Sequence, residues 1–181
     1  MSSIIKVNTI QDAGGNAIIT SDGSGVITPN AAGIKNTPAF LATVGSQFGV
    51  AHATTTTVRF DSELKDTNSA YDTSAYTFTV PSGEGGTYYI FGNINVHDFT
   101  TTDTKRVIIK IMNGSNSIGT FGEHQAANDG SAGHRNNFNV IANLSAGDII
   151  KITLYQNSGS TYQLLADQAD NLFGGYKLIG V

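Results

Sequence analysis

Apolar residues in this chain recur at every second position. Nowhere do they recur at three and four for long enough to make a capped helix. In "KRVIIKIMNG" (105–114), Val107, Ile109 and Ile111 face one way, and Arg106, Ile108, Lys110 and Met112 the other. "DIIKITLYQN" (148–157) repeats the pattern, with Ile150, Ile152 and Leu154 against Ile149, Lys151, Thr153 and Tyr155. Period two belongs to strands, whose successive side chains point to opposite faces. In both segments the second face is partly apolar too, and a strand apolar on both faces is buried on both. In a small sandwich, a neighbouring subunit is one means of covering it.

The remaining composition agrees. Only 13% of residues are charged, against roughly 25% in typical soluble domains. The polarity comes from Thr, Ser, Asn and Gly, residues of strands and turns. Nine Phe and seven Tyr with a net charge of −4 exclude a disordered chain. At 181 residues there is enough chain for one cored domain and an appendage. Cysteine is absent, which excludes disulfides, thiolate metal sites and a thiol nucleophile. The start, "MSSIIKVNTIQDAGG", has no apolar run of the signal-peptide kind, so none is expected. No apolar stretch approaches the roughly 20 residues of a membrane helix, so membrane insertion is not expected. Ten Lys and Arg with a pI near 5.4 argue against nucleic acid as a partner.

Two regions differ in texture. In residues 1–36, "SIIKVNTI" reads as a short strand, "QDAGGN" as a turn, and "AIITSDGSGVITP" as two more strands around Asp22-Gly23. Its apolar residues, Ile5, Val7, Ile10, Ile18 and Val26, are too few for an independent core. This region is therefore expected to be a short extended β arm and linker, lying on its own domain or on another chain. Residues 37–181 break into short β-rich stretches separated by turn residues. About eight to ten strands in that length predict an all-β sandwich or jelly roll.

The order of residues in the second region carries a resemblance. Phe60 is followed by Tyr71-Asp72, then "TFTVP" with Phe78 and Pro81, then Gly86 and "YYIF" from Tyr88 to Phe91. Further on come the Asn-Gly turn of "IMNGSNSIG", Gly147-Asp148 in "VIANLSAGDIIKITL", and Phe173, Gly175 and Tyr176 in "NLFGGYKLIGV". This series, over about residues 38–181, resembles the complement C1q-like globular domain, whose jelly roll is shared with tumour necrosis factor. The segment from Pro81 to Gly86 is two residues longer than the family's, and no collagen-like repeat precedes the domain. The resemblance implies a homotrimer. Tyr76, Phe78 and Tyr88 to Phe91 are then read as two alternating strands, with one set of rings in the sandwich and the other available to a three-fold interface. The arm, "IIKVNTIQDAGGNAIITSDGSGVIT" (4–28), resembles N-terminal segments of appendage and fibre proteins of tailed bacteriophages, marine ones in particular.

Motifs for chemistry are sparse. His52, His97, His124 and His134 show no metal-ligand spacing. No cofactor is expected. Among metals, calcium best suits the oxygen ligands present, with Asp98, Asp103 and Asp129 as the available loop carboxylates. No nucleophile elbow, phosphate loop or marked carboxylate pair occurs. The Asn- and Gly-rich stretch 122–139 offers His124, Gln125, Asn128, His134, Arg135 and Asn136. It reads either as a recognition loop suited to sugars or as a connection touching a neighbouring subunit. Together the two resemblances imply a non-enzymatic virion structural protein on the outside of a phage particle. Its trimeric heads would face outward, and its arm would attach to other virion proteins, as a capsid decoration, a head fibre or a short tail-fibre tip. The alternative is the receptor-binding tip of a tail fibre, recognising host-surface glycans.

Overall fold

A computed structural model describes residues 7–30, 35–96, 106–124 and 134–179. All regular structure among them is strand. The arm holds β1 (Thr9–Gln11), β2 (Ala17–Ser21) and β3 (Ile27–Pro29). The head begins with β4 (Ala39–Thr43), β5 (Phe48–Val50), β6 (Thr54–Thr57), β7 (Ser62–Asp66), β8 (Tyr71–Asp72) and β9 (Thr77–Thr79). It continues with β10 (Gly86–Val96), β11 (Arg106–Asn113), β12 (Asn116–His124), β13 (His134–Leu144), β14 (Ile149–Gln156), β15 (Tyr162–Leu164) and β16 (Leu172–Lys177).

The head is a two-layer antiparallel sandwich. One sheet has the order β13-β10-β16-β4-β7. The other has the order β12-β11-β14-β9-β8, with β6 also pairing to β14. The short pair β15-β5 lies beside them. The core is an aromatic interlock between the layers. Phe40 of the five-stranded sheet stacks on Phe78 of the other, with ring centroids 4.4 Å apart, and on Tyr71 at 5.4 Å. It meets Phe173 edge-on at 4.9 Å. Phe60 and Tyr88 close the cluster against Phe173 and Phe78. All six are buried. Offset and edge-on ring pairs add about 0.5–1.5 kcal/mol each beyond their burial. The Tyr71 hydroxyl donates to the Phe60 carbonyl at 2.9 Å, and that of Tyr88 to Glu84 at 2.6 Å. Burial pushes both phenols above their ordinary range, so both keep the proton they donate.

The stretch around Pro81 is where the chain changes layers. β9 pairs with β8 and β14, whereas β10 pairs with β13 and β16. Val80 clamps the crossing to the turn before β14: its amide donates to the Asp148 carbonyl, and its carbonyl accepts from Gly147, both at 2.9 Å. Gly147 sits at φ 89° and Gly86 at φ 151°, which only glycine adopts readily. Lys177 on β16 ties the crossing down through Glu84 at 3.0 Å.

Several expectations need correction. Tyr76 is not a strand residue. It ends a turn with φ 60°, where its amide donates to the Asp72 carbonyl at 2.7 Å. Residues 122–124, the start of the stretch read as a loop or connection, belong to β12, because the Asn113-Gly114 turn folds that strand back onto β11. "FGVAHATTTTVRF" (48–60) holds the two strands β5 and β6, and "SELKD" forms β7, a strand that the sequence pattern does not mark. β7 is an edge strand with Glu63, Leu64 and Lys65 exposed, so it needs no apolar alternation. The outward side of β11 and β14 carries Arg106, Lys110 and Lys151 beside Ile108 and Met112.

The arm is a meander in which β2 pairs with both β1 and β3. Ile18 is half-buried; Val7, Ile10 and Val26 are exposed, and Ile5 lies outside the described residues. Two aspartate-centred turns shape it. The Asp12 carboxylate accepts from the Gly14 and Asn16 amides at 2.8 and 2.9 Å, and that of Asp22 from Ser24 at 2.8 Å. These bonds, with the Asn16 and Ser24 side chains foremost, hold both carboxyls below the ordinary aspartate range. A folded value below the unfolded one gives stability that is present above the unfolded pKa and lost as pH falls through the folded one. The Asn16 and Ser24 amide resonances should therefore shift on acidification below the ordinary value of 3.8; static resonances at both positions would contradict this. In the head, a Cβ on Gly92 would lie 2.3 Å from both the Leu172 carbonyl and the Phe138 ring, whereas on Gly85 it meets nothing closer than 3.4 Å. Denaturant melts should show Gly92→Ala destabilised by about 1–3 kcal/mol and Gly85→Ala within about 0.5 kcal/mol of the parent.

Candidate functional site on the five-stranded sheet

Alternation along β10 sends Tyr88, Ile90, Ile94 and Val96 into the core and Tyr89 and Phe91 to the opposite face. Register gathers partners around them. Tyr89 lies across from Ile141 on β13 and Tyr176 on β16, and Phe91 lies across from Gly174. The Tyr89 and Phe91 rings stack with centroids 5.6 Å apart, and Tyr176 meets them at 5.8 and 6.4 Å. Leu41 of β4 completes the row beyond Gly174. The three rings are only half-buried, and Ile141 is 64% exposed. Asn93, Asn137, Asn139 and Asn143 occupy the same face around this centre. An apolar, aromatic centre with an amide rim has the anatomy of a protein contact surface.

Two glycines permit this arrangement. A Cβ on Gly174 would lie 2.9 Å from the Phe91 ring and from Leu41, so the ring rests on bare backbone. A Cβ on Gly175 would lie 2.6 Å from Ile90 and 2.9 Å from the Phe40 ring on the core side. The residues singled out in the sequence thus divide by face. Phe60, Tyr71, Phe78, Tyr88 and Phe173 fill the core and Gly175 makes room in it, while Phe91 and Tyr176 lie outside. Pro81, Gly86, Gly147 and Asp148 shape the crossing; the Asp148 carboxylate accepts from the Ser145 amide at 2.8 Å.

At one end of this sheet is a polar cluster that the sequence did not reveal. Asp170 is 6% exposed, and its carboxylate pairs with Arg135 of β13. It also accepts from the Asn95 side chain at 2.7 Å, while the Asn93 side chain donates to the Asp170 carbonyl at 2.8 Å. The fully buried Asn171 accepts from the Asn95 amide at 3.0 Å and donates to the Leu165 carbonyl at 3.0 Å. Asn95 lies 75 positions from Asp170 and 76 from Asn171, so no local spacing marks the cluster.

This changes the proposed recognition loop. His134, Arg135 and Asn136 are in β13 and His124 is in β12, because both strands extend further than the Gly- and Asn-rich composition indicated. Gln125 and Asn128 lie outside the described residues, as do Asp98, Asp103 and Asp129. Among the described residues, no three His, Asp or Glu side chains come together as a metal site would require. Arg135 has a structural partner, so its loss leaves a buried carboxylate uncompensated. Arg135→Ala should lower stability by about 1–2 kcal/mol in a thermal or denaturant melt, the guanidinium being largely solvated. An unchanged melt would return Arg135 to the solvent-facing role read from the sequence.

The comparisons with known proteins agree with this architecture. Residues 39–178 match the C1q domain family. No curated protein matches the sequence. Among solved structures, the globular domain of the zebrafish complement 1qA protein is 17% identical with a TM-score of 0.52, covering 78% of this chain and 97% of that one. Murine APRIL is 13% identical with a TM-score of 0.57, covering 77% and 98%. Eiger, a tumour necrosis factor from S. frugiperda, is 13% identical with a TM-score of 0.55, covering 79% and 93%. At these identities the likeness is one of fold. Domains of this kind typically form homotrimers and are generally non-enzymatic. Both sheets, the aromatic interlock and the crossing at Pro81 lie within the matched residues, and the chain belongs to the C1q domain family.

Proposed function

We propose that the protein is a non-enzymatic structural component of a tailed-bacteriophage particle. It acts as a homotrimer whose heads face outward from the virion surface and whose N-terminal arms attach it to other virion proteins. The observation that carries this reading is the arm. Its three short strands leave Val7, Ile10, Val26 and Ile27 between 49% and 64% exposed. Val7, Ile10 and Ile27 border a hollow of about 290 Å³ with Ile19. None of the strand residues of this sheet is buried, so it has no core of its own. Its apolar side needs a seat, and a larger assembly supplies one.

The trimer is supported by the Tyr89, Phe91 and Tyr176 face together with the habit of the family. Covering that face with two neighbours returns about 25 cal/mol for each Å² of apolar surface removed from water. For a head without disulfides, that burial takes the place of cross-links.

An electron-microscopy map of the particle, with density for the head, tests the assignment directly. Deleting residues 1–36 should abolish incorporation while the head melts as before. Truncated protein that still decorates particles would show that the arm is not the anchor.

A further inference from the structure

The two sheets present different chemistry to the outside. On the outward side of the six-stranded sheet is a hollow of about 150 Å³, lined by Thr55, Arg106, Ile108, Lys110, Thr153 and Tyr155. Pairing builds it residue by residue. Arg106 and Lys110 project from the same side of β11, four residues or about 13 Å apart. Ile108 lies between them as the floor. Across the ladder, Tyr155 faces Ile108 and Thr153 faces Lys110, and Thr55 on β6 faces Tyr155.

The charge in this hollow is one-sided. The chain as a whole has a net charge of −4, yet the lining holds two cations and no carboxylate. Lys151, on the same face of β14, adds a third cation beside Met112. Neither Arg106 nor Lys110 enters the ion pairs found among the described residues, which join Arg135 to Asp170 and Lys177 to Glu84. Arg106 folds back instead, its guanidinium 5.6 Å from the centre of the Tyr155 ring. That contact holds the cation in place without neutralising it.

We infer that this hollow binds one acidic sugar unit of a polysaccharide. Its carboxylate would sit between the Arg106 guanidinium and the Lys110 ammonium, its ring against Tyr155 and its hydroxyls on Thr55 and Thr153. The size argues for a single ring, because the hollow falls below the roughly 300 Å³ at which sites for larger ligands begin. Two cations with an aromatic plate and two hydroxyls match a ring that is apolar on its face, hydroxylated at its edge and anionic at one substituent. The hollow and the Tyr89, Phe91 and Tyr176 face are on different sheets, so self-association through the latter leaves the hollow open. The inference is independent of the particle reading, since the isolated protein suffices to test it.

The test is calorimetric titration of the full chain with oligogalacturonate. Uncharged galacto-oligosaccharide of equal length and a single-stranded oligonucleotide of equal charge serve as the other probes. Oligogalacturonate should bind more weakly as salt rises, and the uncharged sugar should not bind. Arg106→Gln and Lys110→Gln should each weaken binding about tenfold, as expected for losing a hydrogen bond to a charged group. Tyr155→Ala should weaken it by a similar factor, while Tyr155→Phe, which keeps the ring, should retain it. Lys65→Gln on the other sheet should leave it unchanged. Absence of oligogalacturonate binding at millimolar concentration would overturn the inference. So would binding indifferent to Arg106, Lys110 and Tyr155, or oligonucleotide binding of equal strength, which would mark a general polyanion surface.

Discussion

Gly174 and Gly175 are consecutive, and each leaves space for a ring on a different side of one strand. Gly175 admits Phe40 and Ile90 on the core side, and Phe40 is the residue that joins the two layers through Phe78, Tyr71 and Phe173. Gly174 admits Phe91 and Leu41 on the outer side, and Phe91 anchors the aromatic patch with Tyr89 and Tyr176. Any side chain at either position would meet an existing ring at 2.9 Å or less. Close approach of backbone and rings at this dipeptide thus underlies both the interior of the sandwich and the surface it presents.

How much of this was legible depends on whether the signal was local. Period-two alternation in residues 105–112 and 149–155 gave β11 and β14, because both strands bury one complete side. The Asn113-Gly114 and Asp22-Gly23 turns were legible because a tight turn needs particular residues. β7 escaped because an edge strand is stabilised by its neighbour's backbone and carries charges outward. Tyr76 was misassigned because an aromatic two positions before Phe78 fits a strand pattern even when its backbone is left-handed. The polar cluster around Asp170 was invisible, since the fold brings Asn95 and Arg135 to it from distant parts of the chain. Alternation could also not say which outward face is the apolar one. Ile108 and Met112 suggested β11, but cross-strand neighbours decide, and those of Tyr89 are Ile141 and Tyr176.

The division of labour between the sheets gives the functional account its shape. One sheet turns rings outward, and the other turns cations outward. The arm contributes apolar surface with no core of its own. In this account burial at the aromatic face supports the head, the arm seats the assembly on a particle, and the cationic hollow is left to meet acidic sugar at the periphery. Each part uses surface that the sandwich cannot cover by itself.

The claim on which the others rest is that copies of the chain cover the Tyr89, Phe91 and Tyr176 face. Light scattering on the full chain as it elutes from a sizing column measures this most directly. The account predicts a mass about three times 19.0 kDa that holds on dilution, falling to that of one chain when Phe91 and Tyr176 are both replaced by Ser. A wild-type protein that elutes as a stable single chain, or a double variant that stays associated, would contradict it.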